Sequence, residues 1–254
     1  MALLFPDVPE IRLANPPLTE VVCQVRYPPI LLIIKDDPGA FQQHIRHRFP
    51  GYGVEQPFKL QVPKPGSASE PTAEVAPRLF RFKSRDEQTI VSLAMDFYAL
   101  STTRYTHWAD FVNDLATVHR AVVEVYQPTY ATRIGLRYIN RLSPSSTGLT
   151  TIGEICDLIR PELTAQLRSN AWSEPEQWLS QLALTDGEAR FTLRTALDKE
   201  QDEPSFLLDF DYFEQGGLDL DATLSRVSDY HDVIYRAFRW CLPDKSLDIF
   251  GPQR

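Results

Sequence analysis

The sequence predicts an α+β protein: a tandem βαβββα repeat whose strands form a mostly antiparallel sheet with long helices packed on one face. Three observations carry that expectation. The first is internal similarity at a nearly constant offset. The segment PLTEVVCQVRY from Pro17 has a counterpart, PTYATRIGLRY, from Pro128, 111 residues later (128 − 17). FRFKS from Phe80 lies over FTLRT from Phe191 at the same offset (191 − 80). VSLAMDFY from Val91 lies over FLLDFDYF from Phe206 at 115 (206 − 91), and His119 lies over His231 at 112 (231 − 119). A common order at a common spacing marks a repeated unit. The second observation is a pair of long segments whose apolar residues recur every 3.6 positions, as in amphipathic helices. The third is period-two alternation in several other apolar segments, which reads as strand.

Taken in order, residues 1–18 are proline-rich and read as an extended arm. Residues 19–27 read as a strand. Asp36 and Asp37 precede a short helix at 40–49 that ends in basic residues, a polarity that suits the helix dipole. Pro50 and Gly51 end it. A strand follows at 55–62, then a Pro/Ser/Ala-rich loop at 63–77 that is expected to be mobile. Strands at 78–84 and 89–101 are joined by a polar turn at 85–88. A long helix spans 107–126, with Trp108, Phe111, Leu115, Val118 and Val122 on its apolar stripe.

The second half repeats the order. A strand at 132–142 precedes a helix at 151–167, and strands follow at 178–184, 189–197 and 205–214. Gly216 and Gly217 make a turn into a last helix at 221–242, which carries Leu224, Val227, Ile234, Phe238 and Cys241 and stops at Pro243. The tail at 247–252 offers an aromatic to the body. The chain thus divides into an arm (1–18), a first half (19–127) and a second half (128–254). The junction at 127–131 is too short for a flexible linker, which favours one continuous body.

Composition bounds the partners. The chain has 254 residues, 43% of them hydrophobic and 24% charged, which is ordinary for a globular protein with a sizeable core. The formal net charge of −8 divides unevenly: residues 1–126 carry 13 basic and 14 acidic side chains, residues 127–254 carry 13 and 20. Nonspecific binding to nucleic acid or to anionic membranes is therefore disfavoured, although a local basic patch keeps nucleic acid possible. Cys23, Cys156 and Cys241 form no CxxC pair, which argues against a disulfide framework or a zinc site and for a reducing, cytoplasmic setting. The start lacks a basic n-region, so no secretory signal is expected.

Element order over residues 17–242 resembles a duplicated TATA-binding-protein-like or helix-grip architecture. Fold does not imply function, so the resemblance carries only an expectation of architecture. The stretches PPLTEVVCQVRYPP (16–29), ALSTTRYTHWADF (99–111) and RIGLRYINRL (133–142) also resemble those of a sporadically distributed bacterial family of about this length. That resemblance implies a bacterial cytosolic origin and brings no activity and no catalytic residues.

Strand alternation sorts the charges, because residues i and i+2 share a face. In the strand at 91–98, Ala94, Asp96 and Tyr98 oppose Leu93, Met95 and Phe97. In its counterpart, Asp209, Asp211 and Phe213 oppose Leu208, Phe210 and Tyr212. With the apolar faces toward the helices, the other face collects Arg26, Arg81, Lys83, Arg133, Arg137, Arg190 and Arg194. Asp96, Asp209 and Asp211 join them, so seven basic groups stand against three acidic ones. This face is the candidate binding site for an anionic small molecule or an acidic protein partner, with Tyr98 and Phe213 as stacking surfaces. Arg26, Arg81, Arg137 and Arg194 are the expected donors, oriented by Asp96 and Asp211. The plainer reading is a solvated sheet face whose cross-strand Arg–Asp pairs contribute a few tenths to about 1 kcal/mol each.

Other chemistry is sparser. His119 and His231 sit on the apolar sides of their helices, which suits packed histidines better than a catalytic pair. His44 and His47 are three apart, but no carboxylate or cysteine nearby in sequence completes a metal set. Thr106 reads as a helix N-cap, with Asp110 in the first turn. Asp96, Asp209 and Asp211 suit Mg²⁺ only if the halves bring them together. No P-loop, GxGxxG, GxSxG or HExxH stands in the chain, and no cofactor is implied. The sequence thus leans to a non-enzymatic binding or interaction module. The alternatives are a metal-dependent phosphoester hydrolase or nuclease, and a structural subunit of a bacterial complex.

Overall fold

Apolar alternation and helical periodicity decide the secondary structure along most of the chain. A computed structural model describes residues 5–55, 58–61, 72–75, 78–171, 175, 177–200 and 203–253. In chain order the elements are β1 (Arg12–Leu13), β2 (Leu18–Arg26), α1 (Leu32–Lys35), α2 (Gly39–Ile45), β3 (Gly51–Glu55), β4 (Phe58–Gln61), β5 (Thr72–Val75), β6 (Leu79–Lys83), β7 (Thr89–Ala94), β8 (Phe97–Thr102) and α3 (Trp108–Tyr126). They continue as β9 (Ala131–Leu142), α4 (Pro144–Thr147), α5 (Ile152–Asp157), α6 (Pro161–Thr164), β10 (Trp178–Asp186), β11 (Ala189–Glu200), β12 (Glu203–Leu218), α7 (Thr223–Cys241), α8 (Asp244–Leu247) and β13 (Pro252–Gln253), with a 3₁₀ turn at Asp248–Phe250. The protein is α+β, and its main sheet is antiparallel with nine strands in the order β10-β11-β12-β9-β2-β8-β7-β6-β3.

Two compact units divide the chain. A terminal unit comprises Met1–Val22, Ile134–Gln215 and Ala222–Arg254; a central unit comprises Cys23–Arg133 and Gly216–Asp221. In the central unit, register puts Phe80 opposite Leu93, Phe82 opposite Val91, Leu93 opposite Tyr98 and Val91 opposite Leu100. All six are fully buried, as are Phe41 and Ile45 of α2 and Leu115, Val118 and Val122 of α3. In the terminal unit, Phe191, Leu193 and Leu197 of β11 oppose Tyr212, Phe210 and Phe206 of β12 and are buried with them. Val227, Tyr230, Ile234, Ala237 and Cys241 form the buried stripe of α7, at the three-to-four spacing of a helix face.

Gly216 and Gly217, expected as a turn, lie inside β12, and three further segments differ from expectation for identifiable reasons. The expected single strand at 89–101 is a hairpin, β7 and β8, turning at Met95-Asp96. Neither turn residue has positive φ, so no Gly or Asn marks the turn. Its carbonyls are held instead by Tyr27 N–H (to Asp96 O, 3.0 Å) and Ile30 N–H (to Met95 O, 2.7 Å). The expected helix at 151–167 is broken into α5 and α6. Thr151 and Glu154 form a capping box at its start, but Pro161 cannot continue a helix and Arg160 before it is extended (φ −52°, ψ 134°). The expected strand at 55–62 is β4, paired with β5 in a separate two-stranded ribbon, while β3 before it pairs with β6. Of the loop expected at 63–77, Thr72–Val75 is strand β5, and residues 63–71 and 76–77 lie outside the described residues, as does residue 62 of the expected strand.

The described part of the N-terminal arm is tied down within the terminal unit. Asp7 pairs with Arg236 (2.8 Å), and Arg239 donates to the Pro9 carbonyl (3.0 Å). Ile11 N–H donates to the Tyr235 hydroxyl (2.7 Å), β1 pairs with β13, and Ala14 N–H donates to Gly251 O (2.9 Å). Gly251 (φ +64°) is required there: a Cβ would lie 3.2 Å from that of Ala14, in a conformation L residues disfavour. Phe250 beside it is fully buried. Tyr235→Phe removes the hydroxyl that receives Ile11 and Arg239 and faces Pro9 O. It is expected to lower stability by about 1–2 kcal/mol and to expose the arm to cleavage. Thermal melts with limited proteolysis check this; an arm as resistant as in the parent chain refutes it.

Candidate functional site

On the terminal unit, alternation that buries Leu193, Leu208 and Phe210 turns Arg194 and Asp209 to the opposite, outer face, where register sets them against each other. Arg137 of β9 completes the contact. Its Nε donates to Asp209 Oδ1 (2.7 Å) and its Nη2 to Oδ2 (2.8 Å), a bidentate fork. Arg194 Nη1 also donates to Oδ2 (3.2 Å), and Arg194 Nε donates to Gln181 Oε1 on β10 (2.9 Å). The result is a hydrogen-bonded row, Gln181–Arg194–Asp209–Arg137, across four strands. Asp209 is 1% exposed, whereas Arg137 and Arg194 are 45% and 32% exposed. Asp209 is the first cause holding the Arg137 guanidinium above its ordinary, already high pKa. Asp211 is half-buried opposite Thr192, and Arg190 is exposed opposite Phe213.

The central unit has its own outer-face pairs. Arg26 Nη2 meets Asp96 Oδ2 at 2.5 Å. Arg81 donates to Ser92 Oγ (2.5 Å) and pairs with Glu55 (3.2 Å), while its buried Nε has no partner among the described residues. Lys83 pairs with Glu87 (2.9 Å), and Arg133 donates to Gln24 Oε1 (3.5 Å). Tyr98 is not on this face. The two-residue turn at 95–96 resets the alternation, so Tyr98 stands opposite Leu93 on the core side and is fully buried. Its hydroxyl meets His119 Nδ1 at 2.6 Å. It offers no stacking surface to a ligand, contrary to the sequence expectation.

The helix histidines share a chemistry. His119 of α3 is bonded to Tyr98, and His231 of α7 to the Tyr138 hydroxyl (2.8 Å). Burial lowers the pKa of both, that of His231 to about 4. They lie in different units, each against its own tyrosine. His44 meets Glu124 of α3 (3.2 Å), and His47 lines a small cavity of about 180 Å³ beside it. The three cysteines are free and buried, and burial pushes the Cys23 thiol up to about 12. The N-cap of α3 is His107; Thr106 hydrogen-bonds to Asp110 (2.8 Å) instead.

Sequence alternation missed Asp209 as the hub, naming Asp211 as the orienting carboxylate. It also passed over Arg141, which is four residues beyond Arg137 on the same strand and therefore shares its face; its Nη1 donates to Ser205 Oγ (3.2 Å). Arg141 lines a terminal-unit cavity of about 390 Å³ with Thr19, Ser143, Ser145, Glu203 and Ser205. Glu203 accepts from Ser145 N–H (2.6 Å) and Ser145 Oγ (2.7 Å), which holds its carboxyl below the usual range. A central-unit cavity of the same size, lined by Arg48, Asp86, Arg104, His107, Asp110 and Asp114 among others, has its charges largely paired: Arg48–Asp114 at 2.8 Å, His107–Asp110 at 3.1 Å, Arg104–Asp86 at 3.5 Å.

Among the described residues no cluster of three or more His, Cys, Asp or Glu is placed to hold a metal ion, and no helix is long and apolar enough to cross a membrane. Both oxygens of Asp209 are engaged by guanidinium groups, which leaves that carboxylate ill suited to Mg²⁺. No protein-family model and no curated protein matches the chain.

Two outcomes follow from this geometry. Arg137→Ala or Arg194→Ala alone leaves Asp209 one cation; the double variant leaves a buried carboxylate with none. The double variant is expected to cost about 3–5 kcal/mol, exceeding the sum of the singles by about 1 kcal/mol or more in urea unfolding. Additive losses refute the shared clamp. For His231, the folded protein keeps the ring neutral down to about pH 4, while the unfolded chain takes a proton near its ordinary 6.5. Stability is therefore complete above about 6.5 and lost as pH falls toward 4, by on the order of 3 kcal/mol. His231→Phe is expected to flatten the fall in melting temperature over that window; an unchanged slope refutes the assignment.

Proposed function

We propose that the chain is a non-enzymatic binding module whose outer sheet face on the terminal unit takes an anionic ligand or an acidic segment of a protein partner. The observation that carries this reading is the clamp on Asp209. Its bidentate contact fixes the Arg137 guanidinium while leaving Nη1 without an intramolecular partner among the described residues. A donor already held in place loses less conformational freedom when it binds a carboxylate or phosphate. Arg190, exposed on the same face, adds a cation that no described carboxylate neutralises. The recognised chemistry is a carboxylate or phosphate oxygen.

The architecture behind the site is read as a duplicated βαβββα unit with long helices on one face of the sheet, the first copy carrying one strand more because the expected strand at 89–101 is the pair β7 and β8. The paired side chains support this better than the sequence matches did. Arg26 and Arg137 are 111 apart (137 − 26), as are Tyr27 and Tyr138 (138 − 27). His119 and His231 are 112 apart, and the carboxylates that meet the two arginines, Asp96 and Asp209, are 113 apart (209 − 96). Asp209 rather than Asp211 is thus the counterpart of Asp96.

Fluorescence anisotropy with a labelled polyglutamate peptide and with a labelled nucleotide, at about 0.02 M and about 0.15 M salt, tests the function. At least one probe is expected to bind, more weakly at the higher salt, and Arg190→Glu is expected to weaken binding about tenfold without changing the melting temperature. The probe that binds distinguishes a carboxylate-bearing partner from a phosphate ligand. No binding of either probe at the lower salt, or unchanged affinity in Arg190→Glu, overturns the reading.

A further inference from the structure

We infer that β10 is a strand-pairing interface and that its occupant is a second copy of this chain, joined antiparallel about a two-fold axis through Leu182. Among the described residues, β10 ends the nine-stranded sheet and pairs with β11 on one side only. Natural sheet edges are normally blunted by lysines, prolines, bulges or short length. β10 has none of these. It runs nine residues, WLSQLALTD, with one charge, at its last position. It pairs residue for residue with β11 from Trp178↔Leu197 to Asp186↔Ala189, without a bulge. Both ends are anchored: Trp178 stacks on Phe206 (5.9 Å) and donates to Gln166 (2.8 Å), while Asp186 accepts from the Tyr212 hydroxyl (2.9 Å). Between the anchors, residues 179–183 are exposed on both faces, with Leu179 at 69% and Leu182 at 47%. The opposite edge, β3, is only five residues long, contains two glycines and ends in Glu55.

The strand is complementary to itself. A two-fold axis normal to an antiparallel pair must set one residue against its own copy. Leu182 is the middle of the nine, so an axis there pairs every residue of β10. Leu182 then meets Leu182 of the second copy, extending the row begun by its neighbour Leu193, which is already 3% exposed. Leu179 meets Thr185, and the lone charge, Asp186, falls opposite Trp178, so no like charges are opposed. For a chain of net charge −8, an uncharged strand is where two copies approach with least repulsion. This inference is independent of anion binding.

The test is the solution mass of the full chain by sedimentation equilibrium at tens of micromolar. The parent chain is expected to be a dimer. Leu182→Lys, which sets like charges directly opposite each other on Cβ atoms about 5 Å apart, is expected to be a monomer that keeps the parent's far-ultraviolet circular dichroism. Leu182→Cys supplies a second readout that does not depend on the first variant folding. It is expected to cross-link with a short bis-maleimide while the parent chain, whose cysteines are buried, does not. A monomeric parent overturns the inference and leaves the edge to an extended segment of a different protein. A dimer that survives Leu182→Lys, or failure of the Leu182→Cys variant to cross-link, overturns it equally.

Discussion

A carboxylate withdrawn from water must be matched by charge, and Asp209 imposes that requirement on four strands at once. Its isolated burial would cost several kcal/mol. Arg194 comes from β11 on one side and Arg137 from β9 on the other, and Gln181 on β10 holds Arg194 in turn. The arrangement fixes register. A slip of β12 by one residue would drive Asp209 into the core and expose Leu208 and Phe210, so the polar row and the apolar core select the same pairing.

The polar row specifies more than it stabilises. Burial of Phe206, Phe210 and Phe191, each 0–1% exposed, contributes about 1.5–3 kcal/mol per side chain. The arginine contacts add little net free energy, because withdrawing Asp209 from water offsets most of their attraction. The core therefore carries the folding free energy. The ion pairs choose among strand alignments that the core alone would separate less sharply. The same row also leaves guanidinium groups oriented and partly open, and the proposed anion binding rests on that feature.

Alternation and helical period made most of the strands and the two long helices legible in the sequence. What escaped had causes outside local patterning. The Met95-Asp96 turn carries no turn residue, because its carbonyls are held by the backbone of residues 27–30. Missing that turn inverted the face assigned to Tyr98. The break at Pro161 was legible but was overridden by an apolar period that continued past it, whereas the Thr151–Glu154 capping box agrees with the helix start read from the sequence. Asp209 and Asp211 are equivalent in any alternation rule. Only the cross-strand register, set by the β11–β12 hairpin, shows which of them meets an arginine on both sides.

The central claim is that Asp209 holds two arginines rigidly on the sheet face. The most direct measurement is side-chain NMR of the arginine Nε–H groups in uniformly labelled protein, assigned by substitution. The Nε–H signals of Arg137 and Arg194 are expected to be dispersed and slow to exchange with water, unlike that of exposed Arg190. Arg137 and Arg194 signals at the averaged position of solvated arginines, exchanging as fast as Arg190, would contradict the account.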